Sequence, residues 1–199
     1  MANTPPTPTE ADHTLRLALK TVPGISFKEI PRCAAMAELV LRIGNSGRIR
    51  HARDTEYFDW RFKNPLSRYG FLFWEKDRLE GYLVLQEYTS DFADREVLNI
   101  VDWEASSGAV RTELLQAALR VAAQRTLNVW SATLDKDTTE LLRRSGFKPS
   151  TAAAGVARQC PALLVRSLRE QKGNDWRLGG AQLTDLASWD IRMLYSTAG

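Results

Sequence analysis

The chain has 199 residues, 44% hydrophobic and 26% charged, enough apolar material for a real core in a soluble globular class. Its 27 Lys and Arg exceed its 24 Asp and Glu by only three, spread along the chain, whereas a nucleic-acid binder gathers its cations into a stripe, so no nucleic-acid partner is expected. Two histidines, His13 and His51, and two distant cysteines, Cys33 and Cys160, offer no metal-ligand spacing, and no apolar run approaches the roughly 20 residues that cross a bilayer, so neither a metal nor a membrane is expected.

The start lacks the basic-then-apolar pattern of a secretory signal, and two cysteines this far apart fit a reduced, cytoplasmic compartment. Residues 1–12, rich in Pro and Thr, read as a disordered tail. Leu15–Lys20 is too short to classify. Ile25–Ile30 alternates apolar and polar residues as a strand does, and Pro31 ends it. Ala34–Ile43 has helical spacing and stops at Gly44. Thr55–Phe62 reads as a short helix, capped by Asp54 or Thr55, with Tyr57, Phe58 and Phe62 as its apolar face. Tyr69–Glu75 and Leu79–Tyr88 read as a hairpin of strands, and Thr89–Arg95 as a polar loop.

The organising stretch is Val97–Phe147. Val97–Trp103 is a strand, Ser106–Ala109 a break and Val110–Arg125 a helix. Leu127–Leu134 is a second strand, and Asp135–Arg144 a helix closed by Ser145-Gly146-Phe147, where glycine serves as a left-handed cap. Two strands joined by such a helix imply a right-handed parallel crossover. Its strand-to-helix turn then lies at the carboxyl edge of the sheet, where helix N–H groups face an anion. Gly155–Cys160 and Pro161–Leu168 read as two further strands, and the chain from Gly173 as a packed but irregular segment. The domain expected is 13–172, with 173–199 an extension packed on it. The element order gives a mixed, mostly antiparallel α/β sheet of about seven strands with helices on both faces. An exposed final strand could pair with a second copy, so a homodimer is open.

That order, with a helix followed by Ser145-Gly146-Phe147, resembles the GNAT acyltransferase superfamily over residues 25–168. A narrower likeness is to bacterial GNAT-like proteins of polysaccharide biosynthesis loci. Their aromatic-x-Trp-Arg/Lys-aromatic-x-x-Asn-Pro segment is matched by Phe58-Asp-Trp-Arg-Phe-Lys-Asn-Pro65, and their Trp-x-Leu by Trp176–Leu178. The acidic Gly-Asp-Ser-Asp that often follows is replaced by Gly179–Asp185. The resemblance implies an N-acyltransferase that moves an acetyl or other acyl group from acyl-CoA to the amine of a small molecule or amino sugar. The alternative is a catalytically inactive GNAT-fold binding or assembly protein.

On this resemblance the pantetheine arm lies in a gap between the fourth and fifth strands, and the pyrophosphate at the following helix start. The family's Arg/Gln-x-x-Gly-x-Gly/Ala loop, aligned through Leu114 and Leu115, falls on Ser106, Ser107, Gly108, Ala109, Val110 and Arg111. The family's two glycines become Ala109 and Arg111. Arg111 either fills the space glycine leaves, binds the phosphate or is a solvated residue of an ordinary helix start. The family's leaving-thiol Tyr is Leu142 here, and its Asn is Asp135, more simply a helix cap. The backbone at Trp103 would hold the thioester carbonyl. Asp102 and Glu104 project from one face of their strand as candidate catalytic bases or are solvated or paired with arginine, with Glu87 an alternate. The family's acceptor pocket implies Tyr57, Trp60 and Arg61 as substrate-binding residues. The basic run Arg48–Arg53 either attracts an anionic acceptor or is a solvated loop.

Overall fold

A computed structural model of the chain describes residues 24–44, 47–65, 67–88, 97–122, 125–130, 133–149 and 176–195. The expected tail 1–12, Leu15–Lys20, the loop Thr89–Arg95 and the strands Gly155–Cys160 and Pro161–Leu168 lie outside these residues. In chain order the elements are β1 (Ile25–Lys28), α1 (Cys33–Ile43), β2 (Ile49–Arg50), α2 (Thr55–Arg61), β3 (Arg68–Glu75), β4 (Leu79–Tyr88) and β5 (Val97–Ala105). They continue as α3 (Gly108–Ala122), β6 (Thr126–Val129), α4 (Lys136–Arg144), β7 (Arg177–Leu178), β8 (Ala181–Gln182) and β9 (Trp189–Asp190). Two compact units emerge. One takes the chain up to Gly44, then Ala52–Trp130 and the chain from Arg192, and the other Asn45–His51 with Ser131–Ile191.

The first unit is built on a five-stranded sheet in the order β1-β3-β4-β5-β6. All neighbours are antiparallel except β5 and β6, which run parallel as the crossover requires. Alternation sorts the side chains. Phe71, Phe73, Tyr82, Val84 and Val101 meet Met36, Leu39, Val40 and Phe58 of α1 and α2 in one buried cluster. Each such side chain contributes about 1.5–3 kcal/mol by leaving water. On the opposite face α3 buries Val110, Leu114, Leu115, Ala117 and Ala118. Gly81 lets it approach, since a Cβ there would stand 2.5 Å from Val110 Cγ1 and 2.8 Å from Leu114 Cδ1. Helices thus cover both faces.

The pairing of β5 positions everything that follows. Against β4 it runs to Ala105, with an irregularity between Val84 and Leu85 that leaves Val101 without a partner in the register. Against β6, among the described residues, it runs from Val97↔Thr126 to Ile100↔Val129. The sequence predicts the second strand out to Leu134, but it ends at Val129. The run is half-exposed at alternate positions rather than buried, so its apolar residues do not define a core strand.

The second unit carries α4. Asp135 caps it, its carboxylate accepting from the N–H of Thr138 at 2.7 Å. At the far end Gly146 takes φ +89°, while the N–H groups of Phe147 and Gly146 donate to Leu142 O and Arg143 O at 3.1 Å each. That pair of bonds is the Schellman closure expected of Ser145-Gly146-Phe147. β2 pairs in parallel with β9. Arg48 donates to the carbonyls of Ala187, Thr133 and Trp189, so this arginine is tied to backbone rather than solvated.

Candidate functional site

Asp102 and Glu104 alternate with Trp103 on β5, so both carboxylates face the α1 and α2 side. They are 1% and 5% exposed. Charges so placed need partners, and Arg53 supplies one. It sits just before Asp54, the residue that caps α2 by accepting from Tyr57 N–H at 2.8 Å, and it is 3% exposed. Its Nη1 donates to Asp102 Oδ1 at 2.8 Å and its Nη2 to Glu104 Oε1. Reading Arg53 as part of a solvated basic loop is therefore wrong. The loop carries it inward because two carboxylates on a buried strand face demand a cation.

The two carboxylates are not equivalent. Asp102 Oδ1 also accepts from Trp103 N–H at 3.0 Å, and Oδ2 from the Tyr82 hydroxyl at 2.8 Å. Both its oxygens are taken. Glu104 Oε1 accepts from Arg53 and from Arg192 Nη2 at 3.3 Å, while Oε2 has no hydrogen bond among the described residues. Burial, then the neighbouring Asp102 charge, holds the Tyr82 hydroxyl well above the usual phenol range, so Tyr82 stays a donor.

Trp103 is a second junction. Its N–H goes to Asp102, and its carbonyl accepts from Arg192 Nη1 at 3.0 Å. Arg192 belongs to the segment before a 3-10 turn, Met193–Tyr195, whose Leu194 is wholly buried in the α1–α2 core.

β5 gives way to Ser106 and Ser107, and α3 begins at Gly108. Ser107 Oγ accepts from Val110 N–H at 3.3 Å, and Arg111 N–H makes the first helical bond to Ser107 O at 3.0 Å. The N–H groups of Gly108 and Ala109 precede the helical ladder, as helix geometry requires. A Cβ at Gly108 would meet nothing within 4 Å, so the turn is open to a ligand. Arg111 is half-buried. Ser106, Ser107 and Val110 also line a cleft of about 480 Å³ with Trp74, Lys76, Asp77, Arg78 and Glu80, on the side of the β3–β4 turn. Glu80 is held below the usual carboxylate range by hydrogen bonds from Arg78 and Ser106. The Gly108 and Ala109 N–H groups, the Ser107 hydroxyl and Lys76 are donors that fit a pyrophosphate, while Arg78 and the Ser106 hydroxyl are turned to Glu80.

Of the residues expected to bind acceptor, Tyr57 is half-buried, its hydroxyl 3.4 Å from Leu194 O. Burial pushes that hydroxyl up to about 12, against the counteracting Arg61 charge, and Asp102 adds to the rise. Tyr57 therefore lies within electrostatic reach of the Arg53–Asp102 pair. Trp60 packs beside Tyr57, ring centroids 6.0 Å apart, and is 68% exposed. The fold thus gathers Tyr57, Asp102, Trp103 and Glu104 into one neighbourhood, with Ser106–Arg111 following at the end of β5. Sequence reasoning placed Arg53 in a basic run without its partners Asp102 and Glu104, and did not name Arg192. The available signal was two acidic residues inside a continuous buried strand.

This fold is GNAT-like. Among solved structures the chain is similar to one described as a probable acetyltransferase, at TM-score 0.51 and 14% identity, over 74% of this chain and 99% of that one. That likeness establishes the fold. Weaker likenesses are to TTHA1254 from Thermus thermophilus (TM-score 0.42, 16% identity, 73% of this chain and 99% of that chain) and to a GCN5-related N-acetyltransferase from Anabaena variabilis (TM-score 0.46, 13% identity, 58% and 31%). No protein-family model matches, and no curated protein matches. No helix among the described residues is long and apolar enough to cross a membrane.

Proposed function

We propose that the chain binds acetyl-CoA, or another acyl-CoA, and transfers the acyl group to the amine of a small molecule or amino sugar. The observation that carries this reading is the early end of β6. Among the described residues β5 has no parallel partner after Ile100, yet it runs on to Ala105 and delivers the chain into the open first turn of α3. An extended thioester arm fits along such an edge, and its phosphates fit the turn that follows.

In this reading the N–H groups of Gly108 and Ala109 and the Ser107 hydroxyl hold the pyrophosphate and Arg111 adds its guanidinium, while Ser106, bonded to Glu80, and Val110, bonded to Ser107 Oγ, shape the turn. Tyr57, Trp60 and Arg61 receive the acceptor. The amine nitrogen attacks the thioester carbonyl, the C–S bond breaks and the thiolate leaves with the electron pair. Glu104 takes the proton that the amine sheds, since Oε2 is the carboxylate oxygen left open, while Asp102 holds Arg53 and Tyr82 in place. A soluble cytoplasmic setting and a role in polysaccharide biosynthesis belong to the same proposal, the latter through the Phe58–Pro65 motif.

A ligand that binds only the native state raises the melting temperature, by an amount worth about 2.7 kcal/mol at a hundredfold excess over Kd. Coenzyme A at millimolar concentration is expected to raise it, and Arg111→Glu to abolish the rise. No rise in the wild type would overturn the reading.

A further inference from the structure

We propose that Arg192 is a built-in competitor for the acyl-CoA arm, occupying the rung of β5 that the arm would use; this rests on the acyl-CoA reading above. The argument is one of register. Trp103 stands opposite Leu83 in the antiparallel pair. In such a pair the N–H and C=O of one residue point to the same side. The Trp103 N–H goes to Asp102 Oδ1 and its carbonyl to Arg192 Nη1, at 3.0 Å each, so both point away from β4. They point to the edge where, among the described residues, pairing with β6 ends at Ile100. A free strand edge is a template for the amides of an extended ligand, and at Trp103 this chain supplies the pairing groups itself.

Arg192 is not a stray surface residue. Its side chain is 13% exposed and also bonds Glu104 Oε1 at 3.3 Å. Two residues on, Leu194 is wholly buried, which anchors the segment. A ligand amide that takes the place of Arg192 on the Trp103 carbonyl displaces it, and Glu104 then loses one of its two guanidiniums. Ligand entry and release of the candidate base are thus one event. Binding that must first break a competing contact is weakened by the population that contact holds.

The test is calorimetric titration of the full chain and of Arg192→Ala with two probes: coenzyme A, and acetyl-pantetheine, which lacks the nucleotide. Arg192→Gln serves if the alanine variant does not fold, and Arg192→Lys is expected to fall between wild type and Arg192→Ala. Loss of one charge-assisted hydrogen bond is expected to lower Kd about ten- to a hundredfold for both probes. If coenzyme A binds the wild type and the variants bind it no tighter, the competitor is refuted and the acyl-CoA reading stands. If acetyl-pantetheine binds the variants tighter while coenzyme A binds none of the proteins, the coenzyme A reading fails and the competitor stands. Absence of binding by either probe to every protein overturns both.

Discussion

Arg53 Nη1 stands 2.8 Å from Asp102 Oδ1, and both side chains are withdrawn from water. The same guanidinium serves Glu104, which Arg192 also reaches, so Arg53 is the one cation shared by both carboxylates of the strand. Breaking a buried pair on one side strands the other charge, at a cost of roughly 3–5 kcal/mol. Arg53→Ala is expected to lose about that much in urea denaturation. Replacing Arg53, Asp102 and Glu104 together by Met, Leu and Leu should recover most of it, because Arg192, still bonded to the Trp103 carbonyl, is then the one charge of this cluster that loses its partner. Equal stability of the single and triple variants would refute this account.

The two carboxylates should separate on substitution. Glu104→Gln removes the only one with an unengaged oxygen and is expected to slow acyl transfer about 10²- to 10⁴-fold. Coenzyme A should still bind this variant, no weaker than wild type, because the contact with Arg192 that binding must break is then no longer an ion pair. Asp102→Asn disturbs the hydrogen bonds to Arg53, Tyr82 and Trp103 and should instead cost roughly 1–3 kcal/mol of stability. Thiol release from acetyl-CoA over a panel of amines, beside denaturation curves, checks both. Undiminished turnover in Glu104→Gln would exclude it as the base.

Gly81 is a packing requirement rather than a turn. The added methyl of Gly81→Ala would fall within 2.8 Å of Val110 and Leu114 and push α3 off the sheet. Overpacking of this kind costs about 1–3 kcal/mol. Because α3 carries the proposed phosphate turn, coenzyme A binding should weaken in the same variant. A melting temperature equal to wild type would contradict the contact.

Alkaline pH should unfold the protein through groups that burial keeps protonated. Cys33 is pushed from 9.0 to about 12 by burial first and by its hydrogen bond with Asp59 second. Tyr57 is pushed up to about 12. The folded state then holds protons that the unfolded state releases, so the stabilisation is complete below pH 9 and disappears as pH rises to about 12. Melting temperature against pH should fall across that window. Cys33→Ala should flatten its lower part, and Cys33 should resist thiol reagents at pH 8 until the chain unfolds.

Much of the fold was legible because its signals are local. The cap at Asp54, the cap at Asp135 and the glycine closure at Gly146 each depend on residues within one helical turn. The strand–helix–strand unit was legible through periodicity alone. Arg53 was not, because its partners Asp102 and Glu104 lie 49 and 51 residues away and nothing near Arg53 announces them. Arg192 is harder still, reaching Trp103 across 89 residues from a segment with no regular pattern. The end of β6 was overrun because Trp130 and Leu134 look apolar, while pairing in fact stops at Val129. Charge-bearing neighbourhoods are assembled by topology, which a window of sequence does not contain.

Leu194 lies in the same core as Met36 and Phe58. During synthesis the sheet of the first unit therefore emerges from the ribosome long before its last core residue does. Until residue 194 clears the exit tunnel, that nucleus stays partly wet, with Glu104 and the edge of β5 open to other chains. Stalled or prematurely terminated translation products should aggregate and recruit chaperones, even when they contain every strand of the main sheet.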